Sequence, residues 1–452
     1  MFDSVGVTSI LPVPNAFESN ESDSNKASGD TSIEFYVGTK RGKIKHVVIP
    51  QIYFERMSLG ELLNDTDSIQ VHDVSESAIS KKSTIGEVTL KPYPVYSMTV
   101  VSKPATTQSK SSTTDEYSSA VSVDHVIQYD VLTGGGDRYI TIWEAITNSG
   151  GNQRQLKLKQ QLGPHTGWVK DIASFNGAKI GTNDDCSLVF SIGCNCIEVW
   201  LSSHPNYQHM CKLQIESCPE LGATLSSDLL CLATYSCSVK ANSMEESNQQ
   251  PDLHLIAGGV DGRLHRWVLP KSSRGFGKGV DGFFNSGVIA AHRGRVNDVL
   301  VCNQIGALLS VGSDGCVTCR MISRSKPFDE WETSCINMTD AFLPFGSSIK
   351  LTSSCIVVEG CTEVIVAVGS SCGNLFLFQI SKIRRDNVEL SLLMRLEICN
   401  LRDDKDHCIH SLSCFDCRCR LRDPGSYVVA VGHSNGLSLC LLSLGMKAMN
   451  TT

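Results

Sequence analysis

The stretch richest in metal-binding side chains is HCIHSLSCFDCRC, which holds His407, Cys408, His410, Cys414, Cys417 and Cys419. A zinc site needs four ligands converging on a tetrahedron, often as two spaced pairs. Only one Cys-x-x-Cys pair is present, and Cys414 fits the apolar register of a strand, so the stretch reads as a strand followed by a loop. Two glycine-rich stretches, TGGGDRYITIW (from Thr133) and GGVDGRLHRW (from Gly258), look like phosphate cradles. A phosphate cradle needs a helix N-terminus behind it, whereas both lead into alternating apolar runs. There is no nucleophile elbow, no HExxH pair and no kinase signature. The expectation is therefore no catalytic residue, no metal, no cofactor and no enzyme.

Composition narrows the function classes. The chain has 452 residues, a formal net charge of −7, and charged residues at only 19%. No basic stripe is visible, which argues against dedicated nucleic-acid binding. No apolar run is long enough to insert in a membrane as a helix, and the N-terminus lacks the basic and apolar regions of a secretion signal. Twenty cysteines without such a signal predict reduced thiols in a cytoplasmic or nuclear setting.

The elements that would hold these residues recur. IEFYVGTKRGKIKHVVI from Ile33 has the same shape as VIQYDVLTGGGDRYITIWE from Val126 and SLVFSIGCNCIEVW from Ser187. LHLIAGGVDGRLHRW (from Leu253), ALLSVGSDGCVTCRMI (from Ala307), VIVAVGSSCGNLFLF (from Val364) and YVVAVGHSNGLSLCLL (from Tyr427) follow it. Each is an apolar run, a tight turn, then a second apolar or alternating run, which is a strand hairpin. In five copies the turn ends on a glycine, Gly42, Gly262, Gly315, Gly373 or Gly436, suited to a left-handed backbone. HTGWVKDIAS, AHRGRVNDVLV and CIHSLSC read as the innermost strand of their units. QLKLKQQL, HMCKLQIE, EWETSCINM and VELSLLMRLEI read as the outermost. Four short strands repeated seven times predict an all-β, seven-bladed β-propeller of four-stranded antiparallel blades.

The repeats resemble the WD-repeat family. The resemblance rests on the histidines His165 and His292, the turn aspartates Asp137, Asp261 and Asp314, and the strand tryptophans Trp143, Trp200 and Trp267. It implies that these residues are structural. The motifs are degenerate: Trp-Asp never occurs, and no unit holds the histidine, serine, aspartate and tryptophan that family members link. His165 and Trp200 share a unit whose turn position is Cys194; His292 and Asp314 share one in which Arg320 replaces the tryptophan. Every unit also exceeds the ~40–45 residues usual for the family.

The predicted organisation is an N-terminal strand and polar linker over 1–32, the propeller over 33–444 with disordered loops at 102–124 and 238–252, and a tail at 445–452. One blade is expected to be a strand short. Val5 to Pro12 serves either as the outer strand of the last blade or as the inner strand of the first. A missing N-terminal segment, an open ring or a partner's strand would each explain the shortfall.

For function, the expectation is a non-catalytic scaffold or adaptor that presents its rim and loops to proteins or peptides, as a subunit of a larger complex. The resemblance would direct the residue just before each inner strand's first apolar position toward the central opening: Trp168, Arg295 and Cys408. Trp beside Arg on a rigid rim is the composition of a protein-binding hot spot; the plain alternative packs Trp168 on the neighbouring blade. The rival functions are an enzyme or small-molecule binder using the central opening, and a ubiquitin-ligase substrate receptor. Such receptors often carry Trp-Asp-x-Arg, which follows none of Trp143, Trp200 and Trp267.

Overall fold

A computed structural model describes residues 6–13, 32–50, 70–73, 93–102, 129–147, 154–180, 183–203, 206–215, 228–237, 252–269, 283–323, 326–338, 349–384, 387–398, 407–416 and 426–444. The strands fall into seven antiparallel sheets. The first blade is β1 (Val7–Pro12), β2 (Ser32–Thr39), β3 (Ile44–Pro50) and β4 (Gln70–Asp73); the second is β5 (Val95–Ser102), β6 (Tyr129–Gly135), β7 (Ile140–Thr147) and β8 (Arg154–Leu162). The third comprises β9 (Val169–Ile180), β10 (Asn183–Gly193), β11 (Cys196–Ser203) and β12 (Asn206–Gln214). The fourth comprises β13 (Leu229–Cys237), β14 (Asp252–Gly259), β15 (Arg263–Leu269) and β16 (Phe284–Ala290). The fifth has β17 (Val296–Cys302), β18 (Ala307–Gly312), β19 (Cys316–Met321) and β20 (Thr333–Asn337); the sixth has β21 (Leu351–Glu359), β22 (Glu363–Ser370), β23 (Asn374–Arg384) and β24 (Asn387–Glu397). The seventh has three strands among the described residues: β25 (Ile409–Asp416), β26 (Ser426–His433) and β27 (Gly436–Ser443).

A blade is apolar on both faces, so it is stable only between two neighbours. The buried residues accordingly form seven clusters, one for each blade junction. The cluster between the seventh and first blades joins Phe415, Val428 and Ala430 to Val7, Phe35 and Val47, with the Phe35 and Phe415 rings 5.2 Å apart. The ring is therefore closed, not open. The stretch at Val7–Pro12 is the inner strand of the first blade, which settles its two-way assignment. Among the described residues the three-stranded blade is the last one, and its three strands come from the C-terminal part of the chain. The middle of β27 is only half-buried, whereas the third strands of the fourth and fifth blades are almost wholly buried.

Close packing at the junctions has a sequence rule. Where the second strand's penultimate residue is glycine, a β-branched residue of the next inner strand fills the space. Gly38 meets Val95, Gly134 meets Val169, Gly258 meets Val296, Gly369 meets Ile409 and Gly432 meets Val7. A Cβ on Gly432 would sit 2.5 Å from Val7 Cγ1, so the closing junction follows the rule of the others. In the third and fifth blades the position is Ile192 and Val311, and the next inner strands start with the slimmer-based Leu229 and Leu351.

The hairpin turns have the predicted backbone: Gly42, Gly262, Gly315, Gly373 and Gly436 all have positive φ. Arg138 and Cys194 hold the same left-handed conformation in the second and third blades. The predicted loops 102–124 and 238–252, the tail 445–452, most of the 1–32 segment, and Cys417 and Cys419 lie essentially outside the described residues. The cysteines that are described are free thiols. Among the described residues no helix is long and apolar enough to cross a membrane.

Candidate functional site

All seven inner strands carry a β-bulge at the same place, immediately after their first residue. A bulge inserts one unpaired residue and re-aims its side chain. The seven inserted residues are Thr8, Tyr96, Lys170, Leu230, Asn297, Thr352 and His410. All seven line one cavity of about 530 Å³ at the mouth of the central channel, together with Lys40, Pro94 and Arg295. The mouth is thus built by one repeated backbone irregularity. Four of its lining side chains are basic (Lys40, Lys170, Arg295 and His410) and none is acidic.

Aromatic surface lies alongside. Trp168 is 52% exposed and stacks on Tyr96 of the second blade, ring centres 5.8 Å apart at 25°. Lys170 Nζ lies 4.4 Å from the Tyr96 ring centre and 4.6 Å from that of Trp168, within cation–π range of both. Burial holds the Lys170 ammonium below its usual range; Asp228 pulls the other way, and Arg295 adds repulsion. Burial likewise raises the Tyr96 phenol. The Arg295 backbone is pinned, its N–H donating to Ser313 Oγ at 2.8 Å and its carbonyl accepting from Ser313 N at 2.9 Å. Its side chain stays exposed. Lys40 Nζ and His410 Nε2 both approach Ser434 Oγ, at 3.5 and 2.9 Å.

One residue deeper, two carboxylates tie inner strands together. Asp171 accepts from Ser97 Oγ at 2.8 Å in the second blade and from Leu232 N at 2.7 Å in the fourth. Asp298 accepts from both Ser354 N (2.6 Å) and Ser354 Oγ (2.9 Å) across the next junction. Burial pushes Asp171 up to about 6 and Asp298 up to about 7, the latter also repelled by Asp171. Cys231 lies in the strand between them, its thiol pushed well above the usual range by burial and both carboxylates.

The predicted structural residues form hydrogen-bond chains. In the fifth blade Asp314 accepts from His292 Nδ1 at 3.0 Å, and His292 Nε2 lies 2.9 Å from Ser310 Oγ. Ser310 meets Thr318 Oγ1 at 2.7 Å, and Arg320 Nη1 donates to Thr318 at 3.1 Å. Arg320 thus ends the relay where a tryptophan would. In the third blade Trp200 Nε1 donates to Ser191 Oγ at 3.2 Å, and Ser191 meets His165 Nε2 at 2.8 Å. The aspartate's role falls to the Arg138 carbonyl, 3.1 Å from His165 Nδ1. Burial lowers both histidines' pKa, consistent with neutral rings that donate once and accept once. Trp143 Nε1 donates to Thr133 Oγ1 at 2.9 Å, and Trp267 stacks on His265 at 6.0 Å. Asp137, Asp261 and Asp314 each accept the N–H two residues on, bracing their own turns.

Of the three rim residues read from the sequence, Arg295 lines the mouth and Trp168 stands beside it, stacked on the neighbouring blade yet half exposed. Cys408 is not among the lining residues; its carbonyl accepts from Ser434 N at 3.0 Å, and His410 two positions on takes its place. The described part of the metal-like cluster does not converge: His410 bonds Ser434, and Cys414 Sγ faces the Val357 carbonyl at 3.7 Å. Among the described residues no group of His, Cys, Asp or Glu could hold a metal ion. Sequence reasoning missed Tyr96, Lys170, Asn297 and Thr352. Their signal was present as a three-residue spacing between apolar positions, as in Val169-Lys-Asp-Ile172 and Val296-Asn-Asp-Val299, where a regular strand would space them by two.

With this geometry in hand, likeness to solved structures defines the class. The fold is that of a WD-repeat propeller. A structure of U3-55K is 16% identical, with a TM-score of 0.51, 97% of this chain and 96% of that chain being covered. A crystal structure of the RRP9 WD40 repeats is 15% identical, also with a TM-score of 0.51, covering 96% and 94%. No protein-family model and no curated protein matches the chain.

Proposed function

We propose that the protein is a non-catalytic interaction scaffold whose channel mouth docks protein or peptide partners, as a subunit of a larger cytoplasmic or nuclear complex. The observation that carries this reading is the half-exposed Trp168, held rigid by Tyr96 and Lys170 beside an exposed Arg295. Preordered aromatic and guanidinium groups lose little entropy when a partner arrives, which is why such residues dominate binding energy. The two channel carboxylates support the same reading against a catalytic one. Their oxygens are engaged in strand-to-strand hydrogen bonds, so they act as latches and not as a free acid and base.

The test is affinity purification from cells with wild type and with the pair Trp168→Ala and Arg295→Glu. The pair should abolish partner recovery while thermal unfolding stays nearly unchanged. Unaltered recovery would remove this mouth as the site.

A further inference from the structure

We infer that the mouth takes a carboxylate-rich peptide segment; the inference rests on the docking reading above and names the chemistry of the partner. The cavity presents Lys40, Lys170, Arg295 and His410, contributed by the first, third, fifth and seventh blades, with no carboxylate in its lining. This happens in a chain whose net charge is −7, so the three cations Lys40, Lys170 and Arg295 are concentrated against the overall balance. Arg295 repels the Lys170 ammonium, more weakly than Asp228 attracts it, and Asp228 lies outside the lining. An anionic group between them would relieve that repulsion. The low-dielectric walls of a cleft focus such a field on what enters it.

The occupant is a peptide and not a nucleic acid for two reasons. The basic groups line an open bowl of about 530 Å³, a volume that suits a few side chains and is short for the track of a phosphate backbone. A long polyanion would also meet the negative remainder of the chain. In a peptide, acidic side chains reach Lys170 and Arg295 while an apolar neighbour covers the open face of Trp168. The mouth is only part of the docking energy, so a short acidic probe should bind weakly and in a salt-dependent way.

The experiment is fluorescence anisotropy with the full chain and three labelled probes: a glutamate hexapeptide, a lysine hexapeptide and an oligothymidylate of about eight nucleotides. The glutamate peptide should bind saturably, weakening roughly tenfold between about 0.05 and about 0.3 M salt. The pair Lys170→Glu and Arg295→Glu should weaken it at least about tenfold, while Lys157→Glu, on an exposed outer strand, leaves it unchanged. Arg295→Glu alone, at an exposed position that leaves the fold intact, should show a loss of about threefold or more. The inference falls if the glutamate peptide does not saturate, if Arg295→Glu leaves its affinity unchanged, or if the oligothymidylate binds more tightly at the same mouth. Partner recovery that depends on Trp168 and Arg295, without glutamate-peptide binding, would leave the docking reading standing and reject the acidic preference. Loss of neither would reject both.

Discussion

At the scale of single residues, the tryptophans, histidines and aspartates of the repeats make hydrogen bonds and ring contacts within the blades. Trp200→Phe removes the donor to Ser191 and should cost about 1–2 kcal/mol in urea denaturation. The buried histidines make stability fall in acid. His165, His292 and His433 have folded pKa values lowered by burial from 6.5. Below that value the unfolded chain takes up protons that the folded one refuses, so stability is lost as the pH drops through the window. Asp171 and Asp298 act in the opposite sense, being raised from 3.8 to about 6 and about 7. Between those limits the folded chain binds more protons, and their contribution declines as the pH rises. Denaturation of Asp298→Asn near pH 5 and near pH 8 should therefore show a larger deficit relative to wild type at the lower pH. An equal or reversed difference would show that Asp298 titrates near 3.8 in the fold.

At the scale of elements, the hairpins were legible because one pattern recurs seven times and errors in one copy are corrected by the rest; inner strands were read in three copies and outer strands in four. What the sequence concealed was the bulge. The resemblance directed the residue before Val169, Val296 or Ile409 to the opening, and the three-residue spacing that marks the bulge was not turned into an inserted residue. The inserted residue after it lines all seven positions. Arg295 was found because it borders the bulge; Lys170 and His410 were missed because they are the bulge. The glycine junctions were equally hidden, since their meaning depends on a side chain of the next blade, far along the chain and for Gly432 at its opposite end. Gly258→Ala would bring a Cβ to 2.6 Å from both Val296 Cγ1 and Cys231 Sγ. It should destabilise by about 1–3 kcal/mol, read as a lower urea midpoint with unchanged slope. A midpoint equal to wild type would show that the junction has slack.

At the scale of the whole molecule, seven junction cores replace one central core, and among the described residues the first and last blades are joined by side-chain packing and share no strand. The sequence correctly indicated one short blade, yet it could not distinguish an open ring from a closed one. Closure depends on contacts between residues at opposite ends of the chain, Phe35 with Phe415 and Val7 with Gly432. Phe35→Ala, at a fully buried position of the closing junction, should cost about 3–5 kcal/mol of unfolding free energy. A cost below about 1 kcal/mol would mean that this junction contributes little to the ring. The rigid closed ring is what keeps seven bulged residues facing one opening, where the proposed partners would dock. The most direct measurement places a photocrosslinking amino acid at Thr352 in the mouth or at Glu389 on the exposed outer strand β24, then identifies crosslinked proteins in cells. The account predicts discrete partner adducts from position 352, lost with Arg295→Glu, and few or none from position 389. Adducts at position 389 with none at position 352 would contradict it.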